Sequence, residues 1–197
     1  MAKYGLLVID MQRGFLSEKS PFYISGAAAT VPACAVLISR AREKGVPVFF
    51  VTRRYRSDGS DVERVRCRAW LDGGKPLSPG CSPEISEDMP EEFHESEADW
   101  HIIKQRYSAF FRTELDLLLR RMGIDTVILT GTTTPNCIRT TCYDALSLDY
   151  DCIVVSDCTS SVSAEIQAAN LRDMANAGAV ICTGEELWRR MEEKGEA

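Results

Sequence analysis

The sequence predicts an α/β protein: a doubly wound, six-stranded parallel sheet with helices on both faces, a Rossmann-like three-layer sandwich. Three observations carry this. Short β-branched or apolar runs alternate with longer amphipathic segments, the form taken by strands buried on both sides and the crossover helices that cover them. The order of those runs is regular through the second half of the chain. At 197 residues the chain fits within one hydrophobic core, so a single domain is expected over 1–197.

The first strand reads Tyr4 to Asp10, around the unbroken run Leu6-Leu7-Val8-Ile9. A helix follows from about Ala28 to Lys44, where Val36 and Leu37 share the segment with Ser39, Arg40 and Arg42, and Gly45 at the C′ position stops it. Val46 to Thr52 is the second strand and Trp100 to Lys104 the third. Thr113 caps a helix whose Leu115, Leu118, Leu119 and Met122 form one apolar stripe before Gly123. Thr126 to Thr130 is the fourth strand. A helix over Asn136 to Leu148, a strand over Asp151 to Ser156, a helix over Ser163 to Ala177 and a strand over Ala179 to Cys182 complete the alternation. The last helix begins at Thr183, which forms a capping box with Glu186, while Glu185 places negative charge at the positive end of the helix dipole.

One stretch, about Arg53 to Asp99, has little periodicity and contains Gly73, Gly74, Gly80, Pro76, Pro79, Pro83 and Pro90. It reads as a long loop or lid-like insertion, or as a solvated one; connections of that length in a compact domain tend to be functional. Its Arg53, Arg54, Arg56, Arg64, Arg66 and Arg68 either receive an anionic substrate or form a solvated basic face paired with Asp58, Asp61 and Glu63.

Composition excludes several classes. Hydrophobic residues make up 45% and charged residues 26%, which excludes wholesale disorder and fibrous repeats. The net charge of −6 repels phosphate backbones and argues against nucleic acid as a main partner. No apolar run approaches the roughly 20 residues that span a bilayer, so no membrane partner is expected. The start leads into a strand without a signal-peptide cleavage pattern, and a cytoplasmic location is expected. Eight cysteines, at 34, 67, 81, 137, 142, 152, 158 and 182, lack zinc spacing, and most fit buried small apolar positions.

Known motifs are mostly missing. No G-x-G-x-x-G surrounds Gly131, Gly74-Lys75 lacks the Walker spacing, and no G-x-S-x-G elbow is present, so no cofactor is expected. The two histidines, His94 and His101, lie before or early in the third strand, away from its carboxyl end. Reactive groups do end three strands: Asp10, Lys104, and Cys137 at the start of the helix after the fourth strand. The carboxyl ends of parallel strands gather on one rim, where doubly wound sheets bind ligands. A helix N-terminus and a nearby ammonium both favour thiolate, making Cys137 the best nucleophile of the eight. With no histidine at hand, Asp10 is the proton acceptor and Lys104 the charge balance. Taken singly, the three residues are better explained as a turn cap, a surface lysine and a packed thiol; together they favour a catalytic cluster.

Leu6 to Leu16 (LLVIDMQRGFL), Ile103 to Phe110 (IKQRYSAF), Thr130 to Ala145 (TGTTTPNCIRTTCYDA) and Val154 to Ser161 (VVSDCTSS) resemble, in order, the isochorismatase-like cysteine hydrolases, the group that includes nicotinamidase and N-carbamoylsarcosine amidohydrolase. The resemblance implies that Asp10, Lys104 and Cys137 are a catalytic triad. It implies a cis peptide between Thr132 and Thr133, with the amides of Thr133 and Cys137 as an oxyanion hole. It places Gln12, Phe15, Tyr107 and Phe110 near the substrate pocket, and it implies a homo-oligomer, a dimer or tetramer. Nicotinamidases carry an Asp and two histidines for a metal after the second strand. Here Tyr55 to Glu63 offers Asp58 and Asp61 without a histidine, so neither nicotinamidase activity nor a metal is expected. The presence of Cys137 points to hydrolysis of a small amide, carbamoyl or ureide substrate through a thioester. The rivals are an isochorismatase-type vinyl-ether hydrolase with Asp10 as general acid, and a non-catalytic binding or thiol-redox module using Cys137 and Cys142.

Overall fold

In the computed structural model, which describes residues 3–193 and 195, six parallel strands form one sheet in the order β3-β2-β1-β4-β5-β6. The strands are β1 (Tyr4–Ile9), β2 (Val48–Arg53), β3 (Trp100–Lys104), β4 (Thr126–Thr132), β5 (Asp151–Ser160) and β6 (Val180–Cys182). The helices are α1 (Arg13–Leu16), α2 (Val31–Glu43), α3 (Cys67–Asp72), α4 (Leu115–Met122), α5 (Arg139–Ser147), α6 (Ala164–Asn176) and α7 (Gly184–Glu193). β1 pairs with both β2 and β4, so the strand order reverses beside it. The crevice beyond the carboxyl ends of β1 and β4 is therefore the switch point where such sheets take ligands.

Alternation along the strands divides the core. Leu6 and Val8 of β1 face one side, where they join Phe50, Ile128 and the apolar stripe of α2 and α7, including Leu37, Ile38 and Trp188. Leu7 and Ile9 face the other, with Phe49, Leu129, Leu119 of α4, Cys142 of α5 and Met174 of α6. Strands buried on both faces explain why the apolar runs are unbroken. The capping box predicted for the last helix is complete: Thr183 N–H donates to Glu186 Oε2 at 2.9 Å and Glu186 N–H to Thr183 Oγ1 at 3.2 Å. Ser163 likewise accepts from Ile166 N–H at 3.2 Å at the head of α6.

Several boundaries move. β1 ends at Ile9, one residue before Asp10, and β2 starts at Val48 and runs on to Arg53. β5 continues past Ser156 to Ser160 because, after a register shift, Thr159 and Ser160 pair with Gly131 and Thr132 at the extended end of β4. The helix expected from Asn136 begins as one π-helical turn, Thr134–Ile138, with Ile138 N–H reaching back to Thr133 O at 3.3 Å. In the Arg53-to-Asp99 stretch lies α3. A third apolar cluster there joins Trp70, Tyr55, Val62 and Leu77 to Phe15 and Phe22. Trp70 is fully buried and its indole N–H donates to Pro76 O at 2.9 Å.

Gly131 lies opposite Ile9 in the central strand pair with φ +107°, and a Cβ there would stand 2.0 Å from Ile9 O. Both the conformation and the space demand glycine. Gly131→Ala should cost at least about 3 kcal/mol, the range of severe backbone and packing defects. It should be seen as loss of soluble protein or a large fall in Tm; a variant with the parental Tm would contradict the packing described here.

Candidate active site

Strand ends bring the site together. Asp10 leaves β1 in the left-handed region, φ +53°, a conformation that Asp tolerates better than most residues, and its N–H is held by Val51 O at 2.9 Å. Lys104 and Arg53 end β3 and β2 in register with one another. Cys137 sits in the π-helical turn that follows β4, and the cis peptide lies between Thr132 and Thr133. The threonine run fastens this turn to β5: Thr133 Oγ1 and Thr134 Oγ1 donate to Ser160 O at 3.1 and 2.9 Å, and Ser160 Oγ donates to Thr132 Oγ1 at 3.0 Å.

Asp10, Lys104 and Cys137 meet in a buried cluster. Lys104 Nζ, itself fully buried, donates to Asp10 Oδ2 at 2.7 Å, to Arg106 O at 3.2 Å and to Cys137 Sγ at 3.6 Å, which spends all three of its hydrogens. Arg53 brings a second cation to the sulfur. Its Nη2 donates to Cys137 Sγ at 3.7 Å and to Arg106 O at 2.9 Å, while Nη1 binds Tyr55 Oη at 2.9 Å and Glu63 Oε1. Tyr55 in turn donates to Glu63 Oε2. Among the described residues the other oxygen of Asp10, Oδ1, is buried with no hydrogen-bond partner and is thus the carboxylate's unfilled acceptor.

The direction of the Cys137 thiol differs from the expectation drawn from a helix N-terminus and an ammonium. Burial pushes its pKa up and the Asp10 charge adds to this; Lys104 and Arg53 pull it down without reversing the sign. A dipole acts locally, whereas desolvation penalises the thiolate over its whole surface. Burial thus favours the thiol form of Cys137, and a neighbour that takes the proton eases its ionisation. The absorbance difference at 240 nm between wild type and Cys137→Ala should show no thiolate step at or below the ordinary thiol range, about 8.5. A step near neutral pH would overturn this.

A cavity of about 200 Å³ opens onto the cluster, lined by Asp10, Cys137, Thr133, Asn136, Phe15, Arg66 and the segment from Pro21 to Ile24. Of the four pocket residues expected from the sequence, Phe15 lines this cavity. Tyr107 stands behind it, its ring 5.3 Å from the Arg66 guanidinium and 5.7 Å from that of Arg53. Gln12 does not line the cavity: its amide donates to Arg53 O and Glu87 O at 2.9 Å each and accepts from Arg53 N–H at 2.7 Å, so it ties β1 to β2 and to the Arg53-to-Asp99 stretch. Phe110 also lies outside the lining, half-buried and packed on Tyr150 at 5.7 Å between ring centres. Cys142 is fully buried in the core with Cys152 and is not part of the cavity wall.

The isochorismatase domain family matches residues 4–186. The chain belongs to the isochorismatase family. It is 35% identical over 175 residues to a probable inactive nicotinamidase of Arabidopsis thaliana, covering 88% of each chain. It is 30% identical to a maleamate amidohydrolase of Pseudomonas putida over 96% of this chain and 87% of that one. A crystal structure of an isochorismatase family protein from Desulfovibrio vulgaris superposes with a TM-score of 0.90 at 36% identity, covering 98% of this chain and all of that one. This isochorismatase-family chain is thus an enzyme of a hydrolase fold with amidohydrolases among its relatives.

A metal of the nicotinamidase kind does not fit this family member. Asp58 accepts from Ser60 N–H and Oγ and pairs with Arg56, Asp61 accepts from Arg56 N–H, and among the described residues no cluster of three His, Cys, Asp or Glu could hold an ion. The basic stretch divides in two. Arg54, Arg56, Arg64 and Arg68 are exposed, and three of them pair with Glu87, Asp58 and Asp72. Arg53 and Arg66 turn inward to the site. Nothing in the sequence separates these two from the other four, because burial is a property of the strand end and of α3.

Proposed function

We propose that the protein is a cysteine amidohydrolase acting on a small amide, carbamoyl or ureide substrate through a thioester. The observation that carries this reading is the Cys137 sulfur held between two buried cations, Lys104 at 3.6 Å and Arg53 at 3.7 Å, with Lys104 also bonded to Asp10. Asp10 takes the thiol proton on its free oxygen and the sulfur attacks the amide carbonyl carbon. The carbonyl π electrons move to oxygen, where the N–H groups of Thr133 and Cys137 receive the charge; such donors each supply a few kcal/mol. When the intermediate collapses the C–N bond breaks and Asp10 returns the proton to the leaving nitrogen, releasing ammonia or an amine. Water then gives a proton to Asp10 and attacks the thioester, which frees the carboxylic acid and restores the thiol.

Because the proton moves between two groups of the same cluster, the cluster's net charge does not change in the first step. This suits a buried site, where creating new charge is costly. The cavity of about 200 Å³ favours substrates smaller than a peptide. The test is ammonia release from a panel of small amides, carbamoyl compounds and ureides, maleamate among them, with intact-protein mass spectrometry after acid quench. Turnover with an acyl adduct on Cys137 is the expected result. Hydrolysis of chorismate-type vinyl ethers without amide turnover would overturn it in favour of a mechanism that leaves the cysteine idle.

A further inference from the structure

We infer that the substrate carries a carboxylate, bound by Arg66 across the cavity from Cys137, so that the enzyme selects anionic amides over neutral ones. This deepens the amidohydrolase reading above and rests on it. Arg66 lines the same cavity as Asp10 and Cys137, although only 17% of its side chain is exposed. The guanidinium is held by aromatic faces, with its carbon 4.9 Å from the centre of the Phe22 ring and 5.3 Å from that of Tyr107. Ring contacts use the faces of a guanidinium and leave the N–H donors at its edge free. No protein acceptor among the described residues takes a hydrogen bond from those donors. The nearest carboxylate oxygen, Glu63 Oε1, is 4.0 Å from Nε and already accepts from Arg53. A rigid guanidinium, mostly desolvated and with its donors unfilled, is suited to bidentate binding of a planar carboxylate.

Charge balance points the same way. In the network that joins these side chains, Lys104, Arg53 and Arg66 face Asp10 and Glu63, three cations against two carboxylates. Whether the shared proton sits on Cys137 or on Asp10, this network carries one uncompensated positive charge. A substrate carboxylate cancels it. The other arginines of the stretch do not line the cavity: Arg53 has spent its terminal nitrogens on Tyr55, Glu63, Arg106 O and Cys137, and Arg54, Arg56, Arg64 and Arg68 are exposed at the surface.

The experiment compares succinamate with succinamide, two amides of one length that differ by the carboxylate, as a ratio of kcat/KM. In wild type the ratio should be on the order of 100 in favour of succinamate, the worth of a charge-assisted pair. In Arg66→Gln it should fall toward 1, mainly through KM, and Arg66→Lys should restore part of it. A wild-type ratio near 1, or an Arg66→Gln ratio equal to that of wild type, overturns the inference. Calorimetric binding of succinamate to Cys137→Ala, with and without Arg66→Gln, reads the same contact without turnover. Binding that depends on Arg66 in a protein that releases no ammonia would uphold the carboxylate site while refuting the amidohydrolase reading; no binding dependent on Arg66 would refute the site.

Discussion

Cys137→Ala should reduce amide turnover by at least about 10³-fold, in line with the loss of a nucleophile elsewhere, and should leave the fold intact. The substitution removes one atom, Sγ, from a residue 2% exposed. Without it no thioester forms, and the proton acceptor on Asp10 has nothing to act on but water. The structural cost is small because the partners keep other bonds. Lys104 retains Asp10 Oδ2 and Arg106 O, and the Arg53 Nη2 group retains Arg106 O. A lost buried atom of this size costs about 1 kcal/mol. Steady-state ammonia release and thermal unfolding, run on the same preparation, check both halves. Retention of more than a tenth of the activity would make the sulfur a bystander and return the chemistry to Asp10 alone.

Arg53→Met should be the most destabilising side-chain exchange at the site and should also slow it. The guanidinium is fully buried and pairs with Glu63, itself 5% exposed. Removing one partner of a buried pair leaves an unpaired charge, at a cost of about 3–5 kcal/mol. For a chain of this size that is a fall in Tm of roughly 6–20 °C. Arg66, 4.0 Å from the same carboxylate, keeps the loss toward the lower end.

The effect has a defined pH dependence. In wild type, burial raises the Glu63 pKa, but Arg53, the Tyr55 hydrogen bond and Arg66 outweigh it and hold the carboxyl below its usual range. Its contribution is therefore full above the unfolded value, about 4.3, and is lost as pH falls through the lower folded one. Removing Arg53 takes away the largest of the forces holding that pKa down, so the folded value rises and less stability is gained as Glu63 ionises. The gap in stability between wild type and Arg53→Met should thus narrow between pH 7 and pH 4. Adding Glu63→Gln should recover much of the Tm but not the rate, because the sulfur still lacks one of its two cations. A double variant with wild-type kcat would show that Arg53 serves only the fold.

How much of this was legible in the sequence depends on the range of the interaction. Asp10, Lys104 and Cys137 were found at strand ends because apolar runs buried on both faces are local patterns, and parallel strands must bring their carboxyl ends to one rim. The Thr183 and Glu186 capping box was legible for the same reason, since both partners lie within one turn. The partners of Gln12 are not legible there, because Arg53 and Glu87 are 41 and 75 residues away.

Composition and periodicity by themselves determined the sheet, its helices and the rim on which the reactive groups lie, since these follow from which residues avoid water along short stretches of chain. The tertiary structure alone decided which two of six arginines enter the site, that burial favours the thiol form of Cys137, and that Gln12 and Phe110 lie outside the cavity lining. Each of those outcomes turns on desolvation and on partners remote in sequence. Arg53 is buried because β2 runs one residue further and sets it beside Lys104; Arg66 faces the cavity because α3 begins where Phe22 and Tyr107 can hold its guanidinium.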